Sequence, residues 1–129
     1  MLAHCDFIYA DESTKFQMPF INFAVVLEFG SSGSVPARIG HVRAAELILL
    51  GASFDARCAA ELGLVTEVVS HKDVLARATE TARELAGKPA RARRTSKRLM
   101  KQPFREYIMA AIKTENDGFS GLVRSIETK

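Results

Sequence analysis

Ala44-Ala45-Glu46-Leu47-Ile48-Leu49-Leu50-Gly51 and, a few residues on, Ala59-Ala60-Glu61-Leu62-Gly63-Leu64-Val65 carry the most structural information in this chain. The first run predicts a helix from about Val42 to Leu50. It stops at Gly51, because glycine enters the left-handed conformation of a helix C-terminus without a Cβ penalty. A second helix begins at Phe54-Asp55-Ala56. Asp55 is placed to accept from the first free amides, and Gly63 ends the helix. Leu64 to Val69 then reads as a strand.

Toward the N-terminus, Gly40 closes a short helix through Val35 to Ile39. Gly30-Ser31-Ser32-Gly33-Ser34 leads into it as a flexible polar hinge. Ser31, Ser32 or Ser34 can cap this helix, and Pro36 suits a first turn, where a missing N–H costs nothing. Phe16 to Phe29 is apolar and irregular with a break at Pro19, which predicts short strands and loop in a buried place. Asp6 to Ala10 reads as a strand stopped by Asp11-Glu12-Ser13.

Toward the C-terminus the chain turns helical. Ser70 and Asp73 form a capping-box-like pair. Leu75, Ala78, Ala82 and Leu85 mark one face of a helix that Gly87 closes. Pro89 opens a basic helix ending near Lys101. Pro103 opens the last helix, with Phe104, Ile108, Ala111, Ile112, Phe119, Leu122 and Ile126 at helical spacing and Gly118 and Gly121 weakening its middle. The composition shift near Ser70 divides the chain into residues 1–69, mixed strand and helix, and residues 70–129, amphipathic helix. The strands are few and far apart in sequence, so their partners are expected from another segment or another chain.

The 129 residues are 47% hydrophobic and 26% charged, an ordinary globular composition of about one domain. No apolar run reaches the roughly 18 residues of a membrane helix, and no basic region with a long apolar stretch opens the chain as in a signal peptide. No membrane partner and a cytoplasmic location are expected. Cys5 and Cys58 lie in apolar settings and read as buried thiols rather than a disulfide; neither has a metal-ligand spacing, so no metal is expected. His4, His41 and His71 are scattered and read as caps or surface residues. The net charge is +3, with an isoelectric point near 9.1. The basic excess is local: Lys88, Arg91, Arg93, Arg94, Lys97, Arg98, Lys101 and Arg105 occur without an intervening acid. This is either a solvated helix face or an anion-binding one. No aromatic residue interrupts it before Phe104, which argues against stacking on a single-stranded nucleic acid.

Taken in order, these segments resemble the C-terminal half of the enoyl-CoA hydratase/isomerase (crotonase) family. Cys5-Asp6-Phe7-Ile8-Tyr9-Ala10 is similar to the segment after the family's second oxyanion-hole loop. Phe16-Gln17-Met18-Pro19-Phe20 resembles its Lys-Phe-x-x-Pro stretch, and Gly33 to Gly40 its short helix. Ala44 to Gly51 and Ala59 to Val65 are the most specific matches, and Lys88 through Lys97 is similar to the helix that follows.

The resemblance implies an α/β fold, mostly helical in this stretch: the later part of a crotonase (ClpP-like) ββα spiral in residues 1–69, then a helical oligomerisation region in residues 70–129. It implies acyl-CoA thioester substrates, fatty-acid metabolism, no separate cofactor, no nucleic-acid partner, and homo-trimers or hexamers. In the family two backbone N–H groups hold the thioester oxygen and stabilise an enolate. Both donors fall upstream of the position of Met1, as does the first of two hydratase glutamates. The closing helix continues past Lys129. The sequence thus reads as half of a longer fold, inactive by itself.

Within the resemblance, the second hydratase glutamate follows the proline matched by Pro19, where this chain has Phe20. A phenyl ring transfers no proton. Glu28 matches the catalytic glutamate of the Δ3-Δ2-enoyl-CoA isomerases, which need a single base to remove a proton at C2 and return it at C4. Val25, Val26, Leu27 and Phe29 offer an apolar surround, which would raise a carboxyl pKa. Ala24 stands where the family usually has glycine, and its methyl is expected to crowd the acyl pocket alongside Phe20 and Phe29. The alternatives are an enoyl-CoA hydratase and a non-catalytic fragment that only oligomerises.

Overall fold

The computed structural model describes residues 2–127, with side-chain surroundings up to Arg124. Four short strands are β1 (Tyr9–Asp11), β2 (Lys15–Phe16), β3 (Phe54–Asp55) and β4 (Glu67–Val69). Five helices are α1 (Ser31–Ile39), α2 (His41–Leu50), α3 (Ala56–Glu61), α4 (Val74–Gly87) and α5 (Ala90–Glu127). Three 3-10 turns, Leu2–His4, Ile21–Phe23 and His71–Asp73, link them.

The strands do find partners within the chain, contrary to expectation. β1 lies parallel to β4 with Ala10 opposite Val68, and β2 lies antiparallel to β3 with Phe16 opposite Phe54. The Phe16 and Phe54 rings stack at 5.7 Å across that ladder. These remain two separate pairs, fewer strands than an independent sheet needs.

Two apolar clusters fill the interior. One holds Ile8, Ala10, Leu47, Phe54, Ala56, Ala59 and Val65; the other holds Val35, Ala44 and Ile48. Helix α2 gives Leu47 to the first and Ala44 and Ile48 to the second, while Met18 and Ile39 pack against both. That double duty explains why the Ala44–Gly51 run is so informative. The punctuation around it forms as expected. Gly51 is left-handed at φ 58°, the Asp55 carboxylate accepts from Cys58 N–H at 2.8 Å, and Gly63 turns the chain at φ 76°.

Several expectations are corrected. Helix α1 begins at Ser31, with Gly30 at its N-cap and no serine capping it; Pro36 lies inside it, beyond the first turn. The Ser70 hydroxyl bonds the Asp73 carboxylate rather than a backbone amide, and α4 starts one turn later at Val74. The inward face of α4 is Val74, Ala78, Thr81 and Leu85, while Leu75 is 78% exposed and Ala82 is exposed. Thr81 is buried because its hydroxyl is satisfied by Tyr9 Oη at 2.6 Å.

Pro103 does not divide the C-terminal region: α5 is one helix of 38 residues running through it. Tertiary ties hold both sides. Lys97 and Lys101 reach the Asp6 carboxylate at 2.5 and 2.8 Å before the proline, and α1 packs on the helix after it. These hold against the lost N–H. In the Phe16–Phe29 segment only Lys15–Phe16 is strand, and Ile21, Phe23 and Phe29 are exposed rather than buried. Cys5 is also exposed; Cys58 is half-buried, and both thiols are free.

Candidate active site

Phe20, Ala24, Glu28 and Phe29 all belong to the segment that leaves β2 and enters α1. Phe20 is half-buried and opens the 3-10 turn Ile21–Phe23, its carbonyl accepting from Phe23 N–H at 3.1 Å and Val25 N–H at 3.0 Å. Ala24 closes that turn at φ 53°, ψ 34°. This is left-handed backbone, which disfavours any residue with a Cβ. A glycine would adopt this conformation without that penalty. Ala24 itself is exposed.

Glu28 is exposed. Val25, Val26 and Leu27 are half-buried and Phe29 is 58% exposed, so these neighbours leave the carboxylate open to water within this chain. Its backbone, by contrast, is fixed. The Glu28 carbonyl accepts from Ser31 N–H at 3.1 Å and Ser31 Oγ at 2.7 Å. The Phe29 carbonyl bonds His4 Nε2 at 2.6 Å, and Phe29 is left-handed at φ 60°.

Beneath this turn lies a residue that the sequence reading passed over. Glu115 on α5 is buried at 6% exposure, its Oε2 accepting from Gly30 N–H at 2.7 Å and its Oε1 from Ser32 N–H at 2.8 Å. It caps α1 from a distant helix. The two helices meet closely: a Cβ on Gly30 would stand 2.9 Å from Ile108, and one on Gly33 would stand 2.9 Å from Tyr107. The signal was present in the sequence. Ile108, Ala111, Ile112, Glu115 and Phe119 lie on one helical stripe, and a carboxylate on an apolar stripe is anomalous.

A cavity of about 240 Å³ lies elsewhere, lined by Leu2, Ile8, Phe16, Val74 and the Asp11–His71 pair. None of the four candidate residues lines it. Asp11 accepts from Ser13 and from His71 Nδ1 at 2.7 Å, which holds its carboxyl far below the usual carboxylate range. Asp6 is likewise held low by its hydrogen bonds to Lys101 and Lys97. Part of the basic run is thereby engaged in structure: Lys88 pairs with Glu84, and Arg93 donates to the Leu85 carbonyl. No group of three or more His, Cys, Asp or Glu among the described residues could hold a metal ion.

The enoyl-CoA hydratase/isomerase family model matches residues 1–129 in full. The chain belongs to this family. The "Probable enoyl-CoA hydratase echA8" of Mycobacterium bovis is 35% identical over 100 residues, covering 78% of this chain and 39% of that protein. Enoyl-CoA delta isomerase 2 of Rattus norvegicus is 30% identical over 115 residues, 89% of this chain and 29% of that protein. Among solved structures, the enoyl-CoA hydratase/isomerase of Pseudoalteromonas atlantica superposes with a TM-score of 0.91 at 34% identity, covering 95% of this chain and 49% of that one. The chain thus has the crotonase fold of this family and spans half or less of the length of these relatives. No helix among the described residues is long and apolar enough to cross a membrane.

Proposed function

We propose that the protein containing this chain isomerises enoyl-CoA thioesters in fatty-acid metabolism, with Glu28 as the proton-shuttling base. Glu28 takes a proton from C2 of a 3-enoyl thioester and the electrons delocalise toward the thioester oxygen. The same carboxyl then delivers the proton to C4, leaving the double bond between C2 and C3. Backbone N–H donors outside these residues hold the enolate oxygen. The observation that carries the reading is the pairing of Phe20, unable to move a proton, with Glu28 on a turn fixed by α1. Phe20, Ala24 and Phe29 border the acyl group. Residues 70–129 act as the oligomerisation region, residues 1–69 as the end of the spiral core, and the protein works as a cytoplasmic homo-trimer or hexamer.

Relatives bear both hydratase and isomerase names, so hydration of 2-enoyl thioesters is the competing reaction. The deciding experiment uses Glu28→Gln in the complete gene product that carries these residues. Conversion of a 3-enoyl to a 2-enoyl thioester should fall by about a hundred- to ten-thousandfold, with thioester binding nearly intact. Full isomerisation by Glu28→Gln, or wild-type hydration faster than isomerisation, would overturn the proposal.

A further inference from the structure

Glu115 is an expensive residue to keep where it stands. A carboxylate removed from water costs several kcal/mol unless hydrogen bonds replace its hydration. Here both oxygens are used, one by Gly30 N–H at 2.7 Å and one by Ser32 N–H at 2.8 Å. Those amides belong to the first turn of α1, where the unpaired N–H groups and the helix dipole favour an anion.

A local cap would do this more simply. A serine, threonine or aspartate at the N-cap satisfies these amides from within the segment. The N-cap here is Gly30, at a φ of 69° suited to glycine and pressed so close to Ile108 that no Cβ fits. The cap is therefore delegated to a side chain 85 positions away.

The delegated cap controls the segment that carries Glu28. The same first turn holds the Glu28 carbonyl through Ser31 N–H and Ser31 Oγ. Glu115, Gly30, Ser31, Ser32 and Glu28 thus form one hydrogen-bonded unit, with its fixed point on α5. The Glu28 side chain is exposed, and its backbone is placed by this unit.

We infer that Glu115 is a positioning residue for the reaction: it sets the first turn of α1 and, through it, the placement of the Glu28 carboxylate relative to the acyl chain. This rests on the reading of Glu28 as the base. A base displaced by about 1 Å loses up to about a hundredfold in rate. Glu115→Gln keeps one acceptor oxygen, so one of the two amides stays bonded. Glu115→Ala frees both.

The test is a double-mutant cycle in the complete gene product, reading kcat and KM for isomerisation of a 3-enoyl thioester. Glu115→Gln is expected to lower kcat about tenfold and Glu115→Ala about a hundredfold, each with KM within about twofold. Glu28→Gln combined with Glu115→Gln should be no slower than Glu28→Gln alone, because a positioning residue has nothing left to position. Should Glu115→Ala fail to fold, the Gln variant decides. If Glu115→Gln matches wild type while Glu28→Gln is slow, the inference falls and the Glu28 reading stands. If the two losses multiply, Glu115 acts by another route and the inference also falls. If Glu28→Gln is as fast as wild type, or the wild type does not turn over, the Glu28 reading fails first and takes the inference with it.

Discussion

Replacing Gly33 by alanine tests the contact between α1 and α5 on which the candidate site depends. In an open helix interior the change would stabilise by roughly 0.5–1 kcal/mol, since alanine loses less conformational entropy on folding. Gly33 is not open. Its added Cβ would stand 2.9 Å from Tyr107 Cε1, 3.3 Å from Ala111 Cβ and 3.4 Å from Ile108 Cδ1. The Tyr107 ring is 54% exposed and can swing aside, but Ala111 Cβ moves only with the α5 backbone. Overpacking of this kind costs about 1–3 kcal/mol. The clash outweighs the propensity gain, leaving a net destabilisation of about 1 kcal/mol. Gly121 supplies the control: it lies within α5 and a Cβ there meets nothing within 4 Å, so Gly121→Ala should stabilise by about 0.5–1 kcal/mol. Thermal unfolding should therefore move in opposite directions for the two variants, by about 2–5 °C each. If Gly33→Ala raised the midpoint as Gly121→Ala does, α1 would not be seated on α5 as described.

Ala24→Gly removes a Cβ from left-handed backbone at φ 53°, relieving about 1–2 kcal/mol of strain against a glycine entropy cost of about 0.5–1 kcal/mol; urea unfolding should show a net gain of up to about 1 kcal/mol, and a clear loss would contradict that geometry. Asp6 ties the β1 approach to α5 through Lys101 and Lys97, and its pKa is lowered in the folded chain from an ordinary 3.8. A lowered carboxyl contributes stability above its ordinary value and loses it as pH falls through the folded one, so Asp6→Asn should cost about 0.5–1 kcal/mol at pH 7 and progressively less as pH is lowered below 3.8, read by unfolding across that range.

Punctuation and core periodicity were legible in the sequence because they are local. Gly51, Asp55 and Gly63 do what their residue types allow wherever a helix must stop or start, whereas Gly87 is the last residue of α4 and the cap is Lys88 in extended backbone. Long-range compensation was not legible. Pro103 signals a break, yet Asp6 on one side and α1 on the other keep α5 continuous. Leu75 looks more interior than Thr81, and the order is reversed because Tyr9 satisfies the threonine hydroxyl. The serines before Val35 look like caps, and the cap comes from Glu115. Among the candidate residues, Glu28 and Phe20 were found through resemblance. The positive φ of Ala24 could not be read from an alanine, whose type disfavours it.

The distribution of buried residues adds a mechanical point. Every buried apolar core residue among those described lies between Ile8 and Val65. α4 and α5 contribute no member to either buried cluster. They are joined to the rest largely by polar ties: Asp6 to Lys97 and Lys101, Tyr9 to Thr81, Glu67 to Arg77, and Gly30 and Ser32 to Glu115, supported by the close approach at Gly33. Partly exposed polar ties contribute less than apolar burial, so α5, which adds no member to the buried clusters, is expected to open at a lower free energy than the Ile8–Val65 core. Opening it would uncap α1 and free the Glu28 backbone while leaving the Ile8–Val65 core intact. The geometry of the candidate site is thus set by the docking of α5, a less stable event than the folding of the core that carries Glu28.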